Sequence, residues 1–158
     1  MTNFQADASE QGRKFEVAVE TTLEITGAKI IERRWKDPDT KEEVDFVAET
    51  KGGVLFWVEA KGSWMSKKDD NGLKRSDTTK KAIANAWHFR HVHGDNRPPY
   101  ILVTTDLPKP DGVSELEIKH ALEAGLFTAV IDFDELRAQV KALDETGYVT
   151  GNPFNATS

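Results

Sequence analysis

The residue pattern predicts an α/β fold, a single domain built on a central mixed β-sheet flanked by helices. Three observations predict it. Helix-period and strand-like segments alternate in the order α-β-β-β-α-β-α-β-α. Two consecutive runs, Val44–Thr50 and Val54–Gly62, read as interior strands, the second of them apolar on both faces. And 158 residues, 38% hydrophobic and 30% charged, suit one core beneath a polar surface.

The elements follow from local chemistry. Asp7, with Glu10 three residues later, reads as a capping box opening a helix. That helix runs to about Thr26, where Gly27 stops it, and Phe15, Ala18, Val19, Thr22 and Leu23 form its buried stripe. Lys29–Trp35 reads as a short strand and Asp37-Pro38-Asp39 as a turn. After the two interior strands comes a sixteen-residue loop, Gly62–Asp77, of a length usually kept for function. Ser76 or Asp77 caps a second long helix through about His91, with Ala82, Ile83, Ala86 and Trp87 facing inward. Tyr100–Thr104 is a strand, Ser114–Ala124 a helix, Phe127–Ile131 a strand and Phe133–Leu143 the last helix. Residues 1–146 are expected to form the domain and 147–158 a polar tail. The first three strands should form a meander, and the helix after them should carry the chain across to the fourth.

Composition removes several classes of function. Without cysteine there are no disulfides, thiolate metal sites or cysteine nucleophiles. No run of about 18 apolar residues exists, so no membrane span is expected. The polar, acidic stretch Met1–Glu10 argues against a secretory signal, and the expected location is cytoplasmic. No G-x-x-x-x-G-K-[ST] loop occurs, so ATP use is not expected. The net charge of −6 is uneven. Residues 61–97 carry 9 basic and 4 acidic groups, whereas residues 1–60 carry 8 and 13 and residues 106–158 carry 4 and 10. A basic middle between acidic ends suits a DNA backbone touching one face.

The chemistry concentrates on Asp45, Glu59 and Lys61, charged residues on runs that are otherwise apolar. Buried charge is costly unless paired or bound to metal. If Lys51-Gly52-Gly53 is a three-residue hairpin loop, Thr50 pairs with Val54 and Asp45 lies across from Glu59, with Cβ atoms about 5 Å apart. A two-residue turn would put Asp45 opposite Ala60, on the wrong face. Facing carboxylates repel when ionised, and a hard cation resolves the repulsion. Mg²⁺ or Mn²⁺ bound there, with the Ala60 carbonyl as a further ligand, would polarise a phosphodiester and acidify a water, and Lys61 would orient or help deprotonate that water and offset phosphate charge. Glu16 lies about 100° round the helix from Phe15, so it reaches an interior site more readily than Glu20 or Glu24. Lys67, Lys68, Lys74, Arg75, Lys80 and Lys81 are the candidate contacts to a nucleic-acid backbone.

Other signals are weaker. His88 and His91 share a helix face, but His93 does not, and no acid other than Asp95 is fixed nearby, so a frayed helix end accounts for them better than zinc. Ser63-Trp64-Met65 could touch bases or sugars, or Trp64 could tuck into the domain edge. Trp35, Trp57 and Trp87 are expected in the core.

On these residues the chain resembles the PD-(D/E)XK, or restriction-endonuclease-like, nuclease superfamily, over about Gln11 to Tyr100 and more loosely to Ile131. The matching pieces are GRKFE opening the first helix (Gly12–Glu16), EVDFV (Glu43–Val47), WVEAKG (Trp57–Gly62) and the helix TTKKAIANAW (Thr78–Trp87). The resemblance implies that Asp45 and Glu59, with Glu16, hold Mg²⁺ and that Lys61 is the catalytic lysine. Val44 stands where the family has proline. Pro38-Asp39 is rejected because it sits in a turn before the strand, and Glu43 is a weaker rival for the acid.

The function expected is therefore Mg²⁺-dependent endonucleolytic hydrolysis of DNA, for which a twofold homodimer would be the simplest way to cut both strands. The alternatives are an inactive nuclease-fold module that binds DNA or a protein partner within a defence or recombination complex, and, ranked last, a small-molecule enzyme using the same carboxylates.

Overall fold

The computed structural model describes residues 3–63, 72–149 and 152–154, with backbone alone for 3–8. Helix α1 (Asn3–Ile25) leads into a meander of β1 (Lys29–Lys36), β2 (Glu43–Glu49) and β3 (Leu55–Lys61). Helix α2 (Ser76–His93) then carries the chain across to β4 (Tyr100–Thr104), followed by α3 (Val113–Glu123), β5 (Ala129–Asp132) and α4 (Leu136–Thr146). The five strands stand in sequence order in one mixed sheet. The first two pairings are antiparallel, and those of β3 with β4 and β4 with β5 are parallel.

The sheet is covered on both faces. Phe15, Val19 and Leu23 of α1 and Leu136, Val140 and Leu143 of α4 pack with Phe46, Ala48, Phe56 and Val58. On the other side, Ala82, Ala86 and Phe89 of α2 and Ile118 and Ala121 of α3 pack with Val47, Trp57, Tyr100 and Leu102. Burial on both faces explains why β4 is a continuous apolar run, YILVT, with every residue buried. Val149 and Phe154 of the C-terminal stretch also pack against these two cores.

The hairpin between β2 and β3 has the three-residue loop. The Thr50 amide donates to the Val54 carbonyl at 2.9 Å, and the Thr50 hydroxyl accepts from the Val54 amide at 2.9 Å. Gly53 takes φ +97°, which a side chain would resist. The ladder runs from Glu49↔Leu55 to Phe46↔Val58, and its next step sets Asp45 opposite Glu59.

Several expectations need correction. Helix α1 starts at Asn3, so Asp7 lies inside it rather than at its cap. Arg75, without a side-chain cap, precedes α2, and Ser76 and Asp77 are already helical. Trp87 is not in the core: it is 54% exposed and stacks on His91 at 4.9 Å. The buried stripe of α2 is Thr79, Ala82, Ala86 and Phe89, which leaves Trp87 a further 100° or so round the helix, toward solvent. The last helix begins at Leu136 because Phe133–Glu135 forms a 3₁₀ turn, opened by the Asp132 carboxylate accepting from the Asp134 amide at 3.0 Å. Ser63 is described and its amide donates to Thr105, whereas Trp64 and Met65 lie outside the described residues.

Gly62, directly after Lys61, lets α1 and the loop after β4 close on the end of β3. A Cβ there would stand 2.5 Å from the Thr105 hydroxyl and 2.9 Å from the Phe15 ring. Gly62→Ala is expected to destabilise the fold by about 1–3 kcal/mol, read as a lower urea midpoint at unchanged slope.

Candidate active site where two strands part

Asp45 sits where the regular pairing of β2 with β3 ends. Val44 and Val47 both join the core under α2, although they are three residues apart, so strict alternation is broken between them. In that break the Asp45 carboxylate folds onto the neighbouring strand, and its Oδ2 accepts from the Ala60 amide at 2.8 Å. Glu59 is 4% exposed and Asp45 8%. The two carboxyls interact directly, a contact that raises Asp45 while Glu59 is partly relieved by it.

The surroundings hold this pair. Lys61 Nζ lies 3.2 Å from Glu59 Oε1. The Tyr100 hydroxyl, on the parallel neighbour β4, donates to Glu59 Oε2 at 3.2 Å. Tyr100 is fully buried, and burial followed by the charge of Glu59 holds its phenol well above its ordinary pKa, so it remains a donor. Burial, then repulsion from Glu59, raises Asp45 well above the usual carboxylate range. Burial also raises Glu59, although Lys61 pulls it back. Burial alone would lower the Lys61 ammonium, but attraction to Glu59 and Asp45 outweighs it and the net shift is upward.

Glu16 approaches from α1 but is turned aside. Its Oε2 accepts from Arg34 Nη2 at 3.1 Å. Burial and the nearby Asp45 raise its carboxyl above the ordinary value. Glu16 lines a cleft of about 460 Å³ with the buried Asp45, Glu59 and Lys61 at its base and Arg34, Lys36, Lys41, Glu42, Glu43 and Lys81 around them.

The expected backbone contacts divide. Lys81 lines the cleft. Lys74 pairs with Asp106 at 3.8 Å, Arg75 with Asp77 at 3.2 Å and Lys80 with Glu117 at 2.6 Å. Lys67 and Lys68 lie outside the described residues. At Ala60 the amide is the group engaged with Asp45.

A different group brings three ligating residues together. Among the described residues, Asp37, Asp39 and His93 place ligand atoms within 4.8 Å of one another, a set that can hold a metal ion. An acid is thus fixed beside His93 after all. Its main member already has its hydrogen bonds. Asp37 Oδ2 accepts from the Thr40 hydroxyl at 3.0 Å and meets His93 Nε2 at 2.5 Å, while Oδ1 accepts from the Asp39 amide at 3.1 Å. Burial pushes Asp37 upward, but these contacts outweigh it and the carboxylate is held below its ordinary range. That is the state of an acid satisfied by protein, in contrast to Asp45. His88 contacts Glu42 and His91 stacks on Trp87, so the three histidines are dispersed.

Sequence reasoning missed Tyr100 and Arg34. Tyr100 carries a signal, a phenol in an otherwise aliphatic strand. Arg34 carries none, because its role depends on backbone conformation.

Because its carboxyl holds a proton more tightly when folded than the 3.9 or so of an unfolded aspartate, Asp45 supports the fold at low pH and the support is lost as pH rises through the folded value. Asp45→Asn, which keeps the acceptor for Ala60 and supplies a permanent donor to Glu59, is expected to be more stable than wild type at pH 8 in chelator, by on the order of 1 kcal/mol. The difference should shrink toward pH 4. Thermal melts across that range check it.

No family model and no curated protein matches the chain. Among solved structures it is similar to SfsA of Pyrococcus furiosus in complex with Ca²⁺, at 18% identity and a TM-score of 0.44, over 78% of this chain. The chain spans 57% of the length of that protein.

Proposed function

We propose that this chain is a divalent-metal-dependent endonuclease that hydrolyses DNA phosphodiester bonds. The observation that carries this reading is the buried contact of Asp45 with Glu59, braced by Lys61, at the base of an open cleft. The order α-β-β-β-α-β, with one acid on the second strand and an acid and a lysine on the third, supports membership of the PD-(D/E)XK superfamily. No helix among the described residues is long and apolar enough to cross a membrane.

The residues fit a hard cation. Two buried carboxylates set against each other have oxygens in excess of their donors, and Mg²⁺ or Mn²⁺ between them would remove the repulsion. Asp45 and Glu59 would hold the ion, with Glu16 and the Ala60 carbonyl as further ligands. A cation bound there supplies Lewis acidity toward a phosphodiester and toward water.

The chain's own groups do the rest. Lys61 stands beside Glu59 and Asp45, and attraction to their charges raises its ammonium above the ordinary value. Its role would be to orient or help deprotonate the attacking water and to offset charge on the phosphate. Tyr100 fixes Glu59 from behind by its hydroxyl. Lys81, Lys36 and Lys41 on the cleft wall face the DNA backbone. The inactive-module reading draws on the ion pairs that occupy Lys74, Arg75 and Lys80.

Duplex DNA incubated with Mg²⁺ or Mn²⁺ should be cut, and chelator should stop it. Asp45→Ala and Lys61→Ala are each expected to lower the rate by about 10²-fold or more while their circular dichroism stays native. Cleavage unchanged in both variants would remove the mechanism, and a wild type without cleavage would favour the inactive module.

A further inference from the structure

Arg34 is out of place for an ordinary surface residue. It lies within β1 yet has φ 49°, in the left-handed region that a branchless glycine accepts and arginine does not favour. The pairing of β1 with β2 brackets it, Arg33↔Phe46 and Trp35↔Val44, so that Arg34 stands opposite Asp45. The same strand carries a bulge between Ile30 and Glu32, three residues earlier. Thus a strained backbone and an irregular strand bring one guanidinium to the mouth of the cleft whose base is the acid pair. Strain of this kind persists where surrounding structure imposes it, and it gathers at functional sites.

The resting partner of that guanidinium is weakly held. Arg34 Nη2 meets Glu16 Oε2 at 3.1 Å, and the Arg34 side chain is 58% exposed. An exposed ion pair adds little to stability, so it does not account for an arginine kept in a strained conformation. The contact also uses one end of a planar fork built to grip two oxygens at once. Glu16, for its part, is a carboxylate repelled by Asp45 and Glu43, so a cation shared with the acid pair is what would draw it there. Each member of the pair is thus one contact away from a different role, Arg34 toward an anion in the cleft and Glu16 toward the acid pair.

We propose that Arg34 grips a DNA phosphate at the mouth of the cleft, and that its ion pair with Glu16 is the resting contact which this phosphate displaces, freeing Glu16 to turn to Asp45 and Glu59. The proposal rests on the nuclease reading above and names the residue that binds its substrate. It makes substrate capture and completion of the acidic site one event: phosphate on Arg34 releases the third carboxylate.

The test compares Arg34→Gly, Arg34→Lys and Asp45→Ala with wild type. Glycine is relaxed at φ 49°, so Arg34→Gly is expected to melt higher than wild type. It should nevertheless bind duplex DNA about tenfold more weakly in Ca²⁺, lose about one unit from the slope of log affinity against log salt, and cleave more slowly. Arg34→Lys keeps the charge but not the fork, and is expected to recover less than half of the lost cleavage rate. If wild type cuts, Asp45→Ala does not, and both Arg34 variants bind and cut as wild type does, the phosphate grip is wrong while the nuclease reading stands. Full activity in Arg34→Lys, with a lowered melting temperature and lowered activity in Arg34→Gly, would mark a structural role and also overturn it. Cleavage indifferent to Asp45→Ala would overturn the nuclease reading and this proposal together.

Discussion

Two carboxyls, Asp45 and Glu59, are pressed together almost wholly buried at the base of the cleft, and the rest of the site is arranged around that contact. Such a pair has few stable states: it can share a proton, or it can share a cation. The neighbours select for a negatively charged Glu59. Lys61 lies on one of its oxygens and the Tyr100 hydroxyl on the other, and the Ala60 amide anchors Asp45. This is expensive architecture for a surface of no consequence, because replacing buried charged groups by apolar ones is usually neutral or stabilising. Its position at the base of a cleft, where β2 and β3 cease to pair, gives the charge an outlet that a core position would lack.

The contrast with Asp37 sharpens the point. Both acids are buried, and both lie on the same meander. Asp37 is surrounded by donors, from Thr40, Asp39 and His93, and these contacts stabilise its charge. Its evident work is to tie the turn after β1 to the end of α2. Asp45 is surrounded by one donor and one rival acid. Two acid groups that look alike by residue type therefore differ in their partners: Asp37 has three donors, and Asp45 has one donor and a second acid against it.

Much of the frame was legible in the chain. The order of elements, the meander and the crossover followed from period and length. Gly52-Gly53 permitted the three-residue loop, which sets Asp45 opposite Glu59 in the ladder, while the local break in alternation also brings its carboxylate onto the Ala60 amide. Other features depended on long-range geometry. Tyr100 reaches Glu59 across 41 residues through a parallel pairing, and His93 reaches Asp37 across 56. The left-handed turn at Arg34 has no residue signature, since glycine, the usual marker, is absent there. Trp87 was misplaced by one helical position: its apolar character matched the stripe, but Phe89 held the inward angle instead. Lys80 looked like a phosphate contact by spacing, yet α3 sets Glu117 against it.

Anomalous scattering from crystals of this chain soaked in Mn²⁺ tests the central claim most directly. A single strong peak touching oxygens of Asp45 and Glu59 is the expected result. A peak at Asp37, Asp39 and His93 with none at the acid pair, or no peak at either place at millimolar Mn²⁺, would contradict it.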